Sequence, residues 1–516
     1  MSLIKNAILS AVLIIMACAP AFASDTTPEA ATHLKAVFEK MLDEQKAVFN
    51  GKKTDTLETK GSVTLEQADS YYAITLPHIQ MKRADGSRLE IGIISINASP
   101  HDTQGVWKMT YAVPTPILAY DAQGNLQTKI EIKGQQAAGL FHEQYEQFSK
   151  LDARYSDIAV TNTKNANTIT IDAITARFDL ETDAQNRWSG PAYVALKNLD
   201  VRGENNTKRG HIGEIKADMR MDQYDPAAGM TYRRTFLDLE KQSAFDGEGL
   251  SPEQNQQLAN ALLTLFTQGM NGFDSTYSLS DLTITRPETL AKQSETVNIN
   301  SAKIGLGING FLTNQVGVHL NAGYNGFALS SMPEDSKDII PSTSNIDIKI
   351  KNIPFKELMQ VGQNTFASAG GDPKTAMQIG MLSLMIKIPA LLSQAGTMIE
   401  ITDNHLGNDL YHVDMNGEIK ADIAAANSAT ATARSTFKGL DALIAATQII
   451  ADNPDHEKAE DIGKLRDNLL WLKSVAKVEG PLHVFDFIMD AQGQMLLNGQ
   501  DVRALRAGAK PTNEQP

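Results

Sequence analysis

Two short motifs in this 516-residue chain match sequence patterns that enzymes use. Gly305, Gly307 and Gly310 match the dinucleotide-binding pattern, which requires a parallel strand before it and a helix after it. A strand of period two follows instead, so we interpret these glycines as close approaches within a strand. Ser474 and Lys477 have the Ser-x-x-Lys spacing of penicillin-recognising enzymes, but the companion Ser-Asp-Asn and Lys-Thr-Gly motifs are missing. A helix end with a favourable terminal lysine explains this pair better.

The ten histidines are too dispersed to predict a metal site from their spacing. No pair has the helical spacing of zinc ligands, and His405 and His412 flank a Gly-Asn turn. The sequence also has no Gly-x-Ser-x-Gly elbow and no Asp-x-Asp-x-Asp-Gly calcium loop. We therefore predict no catalytic residue, no metal and no cofactor. A hydrolase site assembled from dispersed residues is the alternative.

An apolar helix in the second half is the strongest candidate for a ligand or partner contact. Asp372 can cap it, Pro373 can start it, and it is predicted to run to Ala395. Apolar side chains cover nearly all its sides, so it must be buried. Either it is a central core helix, or its methionines form an adaptable surface for acyl chains or a partner helix. The residues predicted for this contact are Met377, Met381, Leu384, Met385, Ile388 and Leu391.

The charge balance excludes nucleic acid as a partner. Lysine and arginine total 47 against 61 acidic residues, which gives a formal charge of −14. Nucleic-acid binding depends on clustered basic residues that neutralise phosphates, and no basic run here is longer than Lys208-Arg209. The expected partners are a lipid or an envelope protein.

The first residues read as an export signal. Lys5 precedes an uncharged apolar run from Ala7 to Ala17, and Ala21-Phe22-Ala23 fits a signal peptidase site. Cleavage there would remove residues 1–23, start the mature protein at Ser24 and place it in the periplasm. The apolar run is about half the length of a membrane-spanning helix, so we expect no transmembrane helix in the mature chain. The alternative is a lipoprotein anchored through Cys18, the only cysteine.

Alternation of apolar and polar residues predicts an α+β, β-rich fold of antiparallel meander sheets with packed helices. Ile346, Ile348 and Ile350 alternate with charged residues, for example, and most of the first 230 residues follow the same period. We predict two similar-sized halves: a helix plus antiparallel β domain over 24–230, with at most one helix inserted, near Ala137 to Lys150, and a second β domain with helical insertions over 231–502. Residues 503–516 are predicted to be a disordered tail.

The closing segment carries a family resemblance. Leu469-Leu470-Trp471-Leu472, then Phe485-Asp486-Phe487 and Met495-Leu496-Leu497, resemble the last helix and hairpin of the YdgA-like family of exported bacterial envelope proteins. The likeness covers Ser275 to Val502 and implies an envelope location and a β-rich body, without catalytic residues. Together these features predict an exported, non-enzymatic periplasmic binding or scaffold protein that contacts lipid or another apolar ligand. The alternatives are an envelope hydrolase and a subunit of an envelope complex.

Overall fold

The computed structural model describes residues 26–50, 55–246, 251–286, 294–332, 334–368, 387–453, 456 and 458–508. The fold is α+β and rich in antiparallel strands, as predicted. In the described residues the helices are α1 (Pro28–Asn50), α2 (Pro226–Asp246), α3 (Pro252–Gln268), α4 (Glu334–Lys337), α5 (Phe355–Ser368), α6 (387–395), α7 (Leu440–Ala451), α8 (Ala459–Val475) and α9 (Val502–Gly508).

The strands of the first half of the chain are β1 (Asp55–Lys60), β2 (Thr64–Gln67), β3 (Tyr72–Thr75), β4 (His78–Arg83), β5 (Arg88–Gly92), β6 (Ser95–Pro100), β7 (Val106–Ala112), β8 (Ile117–Tyr120), β9 (Leu126–His142), β10 (Gln147–Asn162), β11 (Thr168–Asp179), β12 (Glu181–Thr182), β13 (Trp188–Arg202) and β14 (Lys208–Tyr224). Those of the second half are β15 (Gly272–Arg286), β16 (Glu295–Asn309), β17 (Val316–Asn325), β18 (Ala328–Leu329), β19 (Thr343–Ile353), β20 (Met398–Gly407), β21 (His412–Ala421), β22 (Ala429–Lys438), β23 (Lys477–Glu479), β24 (Leu482–Met489), β25 (Met495–Leu497) and β26 (Gln500–Asp501).

The chain forms two compact units, unit 1 (Met1–Ser275) and unit 2 (Thr276–Pro516). The predicted division after residue 230 falls within α2, shortly after β14 ends, and it stays a prediction. The predicted disordered tail needs a correction at its start, because α9 occupies Val502–Gly508. The rest of that tail lies outside the described residues.

Strand β9 organises unit 1. Its first part pairs with β8 and its last part with β7, while β10 pairs along most of its length. Two branches therefore leave β9 on one side, one through β7, β6, β3 and β2 and the other through β8, β5, β4 and β1. On the other side the sheet continues through β10, β11, β13 and β14.

The core of unit 1 forms around α1. Leu34, Val37 and Phe38 lie on one side of this helix at three- and four-residue spacing, and all three are buried. Ile74 of one branch and Ile79 of the other belong to the same core cluster. Because full burial of such side chains contributes about 1.5 to 3 kcal/mol each, α1 stabilises both branches of the sheet.

The stretch from Ala137 to Lys150, where the sequence allowed a helix, forms no α-helix. The chain continues as β9 to His142, turns through a single 3₁₀ segment at Glu143–Tyr145 and returns as β10. The alanines and glutamines of this stretch favour a helix locally, but Ala137 pairs with Ala153 across the sheet and both are buried. Burial against partner strands outweighs a local propensity of a few tenths of a kcal/mol.

Unit 2 contains an antiparallel sheet in the order β16, β17, β19, β20, β21, β22 and β24. Short strands extend it, with β18 on β16 and both β23 and β25 on β24. Helices α7 and α8 pack around a cluster that includes Phe437, Leu440 and Leu469. This cluster is much smaller than the core of unit 1.

Candidate functional site

The sheet of unit 2 has one apolar face, built by side chains in register. Leu306 pairs with Leu320, Leu320 with Ile348, and Ile348 with Ile401, so four neighbouring strands place aliphatic side chains in one row. Cross-strand partners share a face, and residues two apart along a strand return to it. The neighbouring rows follow by that rule: Ile304, Ala322 and Ile346 in one, and Ile308, Val318, Ile350, Ile399 and Ile419 in another.

Much of this surface is open to solvent. Ile304 is 61% exposed, Ile346 48% and Leu320 42%. Such exposure in a single aliphatic residue is ordinary, but a contiguous set marks an interaction site. We call the exposed set the apolar face, and its members are Ile304, Leu306, Leu320, Ile346, Leu406, Met415 and Ile419.

The opposite side of the same strands is charged. Lys351 Nζ lies 2.6 Å from Glu400 Oε1, and His319 Nε2 lies 2.9 Å from Asp347 Oδ2. Burial acts to raise the pKa of Asp347, but hydrogen bonds from His319 and Thr402 hold that pKa below its ordinary value. The sheet therefore separates an ion-paired side from a side whose exposed members carry no charge.

Packed aromatic residues lie at two places in unit 2. At the β21 to β24 end, Phe437 is buried against α7 and α8, together with Tyr411. Burial, with a smaller effect from Tyr324, raises the pKa of Tyr411 to about 12. Beyond the far ends of β16 and β17, the ring of Phe311 meets that of Phe355 edge-on at 5.2 Å between centroids.

The six residues predicted for a ligand or partner contact are only partly described. Met377, Met381, Leu384 and Met385 lie outside the described residues. Ile388 and Leu391 lie in α6, and both are half-buried. Their contact with a ligand stays a prediction. The apolar face was not predicted as a site, although the alternation that builds it was visible in β17 and β19, because a sequence pattern cannot tell a covered face from an open one.

The two motifs with catalytic spacing have structural roles. Gly305 and Gly307 lie inside β16, which pairs antiparallel with β17, so the strand-to-helix turn of a nucleotide site does not form there. Ser474 Oγ donates a hydrogen bond of 2.7 Å to the Trp471 carbonyl. Lys477 Nζ instead lies 2.6 Å from Glu479 Oε1. Within the described ranges no three His, Cys, Asp or Glu side chains come together as a metal site.

Unit 1 brings together a histidine and a serine that the sequence did not single out as a pair. His142 Nε2 lies 2.7 Å from Ser149 Oγ, across the turn between β9 and β10. Burial, helped by the charge of His101, lowers the pKa of His142 to about 4. Ser149 is buried, and the His142 ring packs on Trp188 at 4.9 Å between centroids. The pair has nucleophile and base chemistry without the access that a substrate needs.

The same turn carries two buried carboxylates. Glu143 accepts a 2.6 Å hydrogen bond from Trp107 Nε1. Glu146, which is 1% exposed, pairs with Lys40 at 3.1 Å, with Arg234 at 2.9 Å and with Arg233. Lys40 belongs to α1 and both arginines to α2. This cluster ties two helices to one turn and is structural.

Comparison of the chain with models of known protein families, with curated proteins and with solved structures finds no match. Among the described residues, no helix combines the length and the apolar character needed to cross a membrane.

Proposed function

We propose that this chain is an exported, non-enzymatic binding protein of the bacterial envelope, and that its apolar face holds acyl chains of lipids. The observation that carries the proposal is the set of seven exposed aliphatic side chains in register on one side of the sheet of unit 2. The export signal at residues 1–23 and the resemblance of the closing segment to YdgA-like envelope proteins support the location.

The dimensions of the apolar face suit an acyl chain. Five strands from β16 to β21 carry the three rows named above and a fourth row with Ser344 and Leu406. Together they make a surface of about 19 by 20 Å, because strands lie about 4.8 Å apart and alternate residues about 6.8 Å apart. One leaflet of a membrane is about 15 Å of hydrocarbon, half the thickness of the bilayer core. An acyl chain can therefore lie on the apolar face without reaching the charged side of the sheet.

The energy of such a contact is moderate. Full burial of an aliphatic side chain contributes about 1.5 to 3 kcal/mol, so each partly exposed member of the apolar face has about 1 kcal/mol left to contribute. Seven members give a gross stabilisation of about 5 to 7 kcal/mol before the cost of immobilising the ligand. Before that cost is subtracted, this magnitude corresponds to dissociation constants between millimolar and micromolar, so the contact by itself gives weak binding, which suits a ligand that is exchanged.

A binding titration with matched variants tests this proposal. Ile304→Glu and Ile346→Glu each place a carboxylate on the apolar face, so the fluorescence titration with cis-parinaric acid should show at least tenfold weaker binding. The control is Ile488→Glu, because Ile488 is 44% exposed in the same sheet but pairs with Thr432 on the charged side. All three changes should cost less than about 1 kcal/mol of stability, since they replace exposed residues.

Two results would contradict the proposal. Equal binding by wild type, the two variants and the control would remove the apolar face from the binding site. A large loss of stability in Ile304→Glu and Ile346→Glu, with binding per folded molecule unchanged, would show that this surface is packed core.

The alternative functions have weaker support. An envelope hydrolase would have the contact between His142 and Ser149 as its best candidate, but the serine hydroxyl is buried. A subunit of an envelope complex would use the same apolar face for a protein partner. In that case cis-parinaric acid would not bind, and co-purification of a second protein would depend on Ile304 and Ile346.

A further inference from the structure

Unit 1 contains a groove on the side of its sheet opposite the core. The groove has a volume of about 580 Å³ and crosses β7, β9, β10 and β11. Its floor includes Ala138 and Leu140, while Met109 and Leu151 from the alternating positions are buried on the core side. Tyr71, 39% exposed, stands at one wall, and Arg177 stands at the other. The volume lies in the range typical of small-ligand sites.

Positively and negatively charged side chains both line the groove, and some of them form no ion pair with a described residue. Lys150 Nζ and Arg177 Nη2 both approach Asp179, at 3.0 and 3.7 Å. Lys108 and Asp152, on strands either side of β9, have no ion pair with any described residue. Asn97, Ser99 and Thr110 add amide and hydroxyl groups along the β6 and β7 wall.

We propose that this groove binds a neutral oligosaccharide. A sugar ring offers a carbon–hydrogen face for Tyr71 and for the floor at Ala138 and Leu140, and hydroxyls that both donate and accept. Asp152 accepts hydrogen bonds only and Lys108 donates only, so a hydroxyl-rich ligand satisfies both at once. Tyrosine suits such a site because its ring is apolar and its hydroxyl is polar.

Other ligand classes fit the groove less well. An anion would meet Asp152 and Asp179, and a cation would meet Lys108, Lys150 and Arg177. An extended peptide cannot add to the sheet here, because β7, β9, β10 and β11 each have partner strands on both sides. Because the backbone groups of these strands already pair with neighbouring strands, a ligand in the groove must be recognised by side chains. This groove lies within unit 1 and is independent of the apolar face.

Calorimetric titration of the full chain with maltotetraose, cellotetraose and chitotetraose tests the inference. At least one of these neutral sugars should bind saturably. Ala138→Trp fills the exposed centre of the floor and should raise the dissociation constant at least tenfold. The matched control is Ala328→Trp, because Ala328 is also an exposed alanine on a strand but lies outside the groove.

Two further variants keep the test decisive if Ala138→Trp does not fold. Asp152→Asn and Tyr71→Ala alter exposed groove residues, so each should weaken sugar binding while the thermal midpoint stays the same. The inference is overturned if none of the three sugars binds to wild type. It is also overturned if the groove variants bind these sugars as tightly as the control does.

Discussion

Replacing Glu146 by glutamine should destabilise unit 1 more than any other change of a single charge that we predict. The substitution keeps the size of the side chain and removes its charge. Glu146 is 1% exposed and neutralises three cations, Lys40, Arg233 and Arg234. Burial lowers the pKa of Arg233, which shows how poorly its surroundings solvate a charge. The variant would leave this guanidinium without its closest carboxylate.

The magnitude follows from the exposure of the three cations. Removing one partner of a buried ion pair costs about 3 to 5 kcal/mol when the remaining charge stays buried. Lys40 and Arg234 have side chains that are 43% and 45% exposed, so water can solvate them again, whereas Arg233 is only 23% exposed. We therefore expect a loss of about 2 to 4 kcal/mol, most of it from Arg233.

Denaturant unfolding measures this loss. Trp107 and Trp188 are both buried within unit 1, so tryptophan fluorescence reports its unfolding, with circular dichroism as a second probe. The control is Glu460→Gln, which breaks the exposed pair of Glu460 with Lys464 and should leave the midpoint unchanged. A loss below about 1 kcal/mol for Glu146→Gln would refute the view that this cluster holds α1 and α2 to the turn.

Three further predictions concern acid, capping and redox behaviour. Burial lowers the pKa of His142 from 6.5 to about 4 in the folded chain. As the pH falls, the unfolded chain therefore takes up this proton before the folded chain does. The contribution of neutral His142 to the free energy of unfolding is fully present above about pH 6.5 and is lost as the pH falls towards 4. Allowing for partial exposure, His142→Gln should remove about 2 to 3 kcal/mol of this pH dependence between the two values, and a His456→Gln control should leave it as in wild type. Ser251→Ala should cost about 1 kcal/mol at α3, seen as a lower denaturation midpoint, because Ser251 and Gln254 form a capping box. A reducing agent should not move the thermal midpoint, because Cys18 is the only cysteine; a clear shift would contradict that.

The sequence was sufficient for the fold class but not for strand lengths and phases. The alternation of apolar and polar residues predicted the strands. In β10 the period shifts, since both Tyr155 and Ile158 pack on the core of unit 1 although they are three residues apart. Asp157 between them has a φ of 52°, a left-handed conformation that lets the strand change phase. Such a shift is a property of the paired sheet, so no single strand's pattern contains it.

The candidate site shows a different limit of sequence reasoning. The alternation of residues in β17 and β19 indicated that one side of these strands is apolar. The same alternation occurs whether that side is buried in a core or open to solvent. Whether Ile346 is covered depends on where α7 and α8 pack, and those helices cover Phe437 instead. Likewise His142 and Ser149 are in contact only because the chain makes a tight turn between β9 and β10, in a stretch where the sequence allowed a helix.

Photolabelling can locate a bound fatty acid on the surface of the protein. A diazirine-bearing fatty acid is bound to the full chain and activated by light, and peptide mass spectrometry locates the adducts. The proposal predicts labels on the β16, β17 and β19 peptides that contain Ile304, Leu320 and Ile346, and their loss when unlabelled fatty acid competes. Labelling that avoids these peptides, or that persists unchanged in the Ile304→Glu and Ile346→Glu variants, would contradict it.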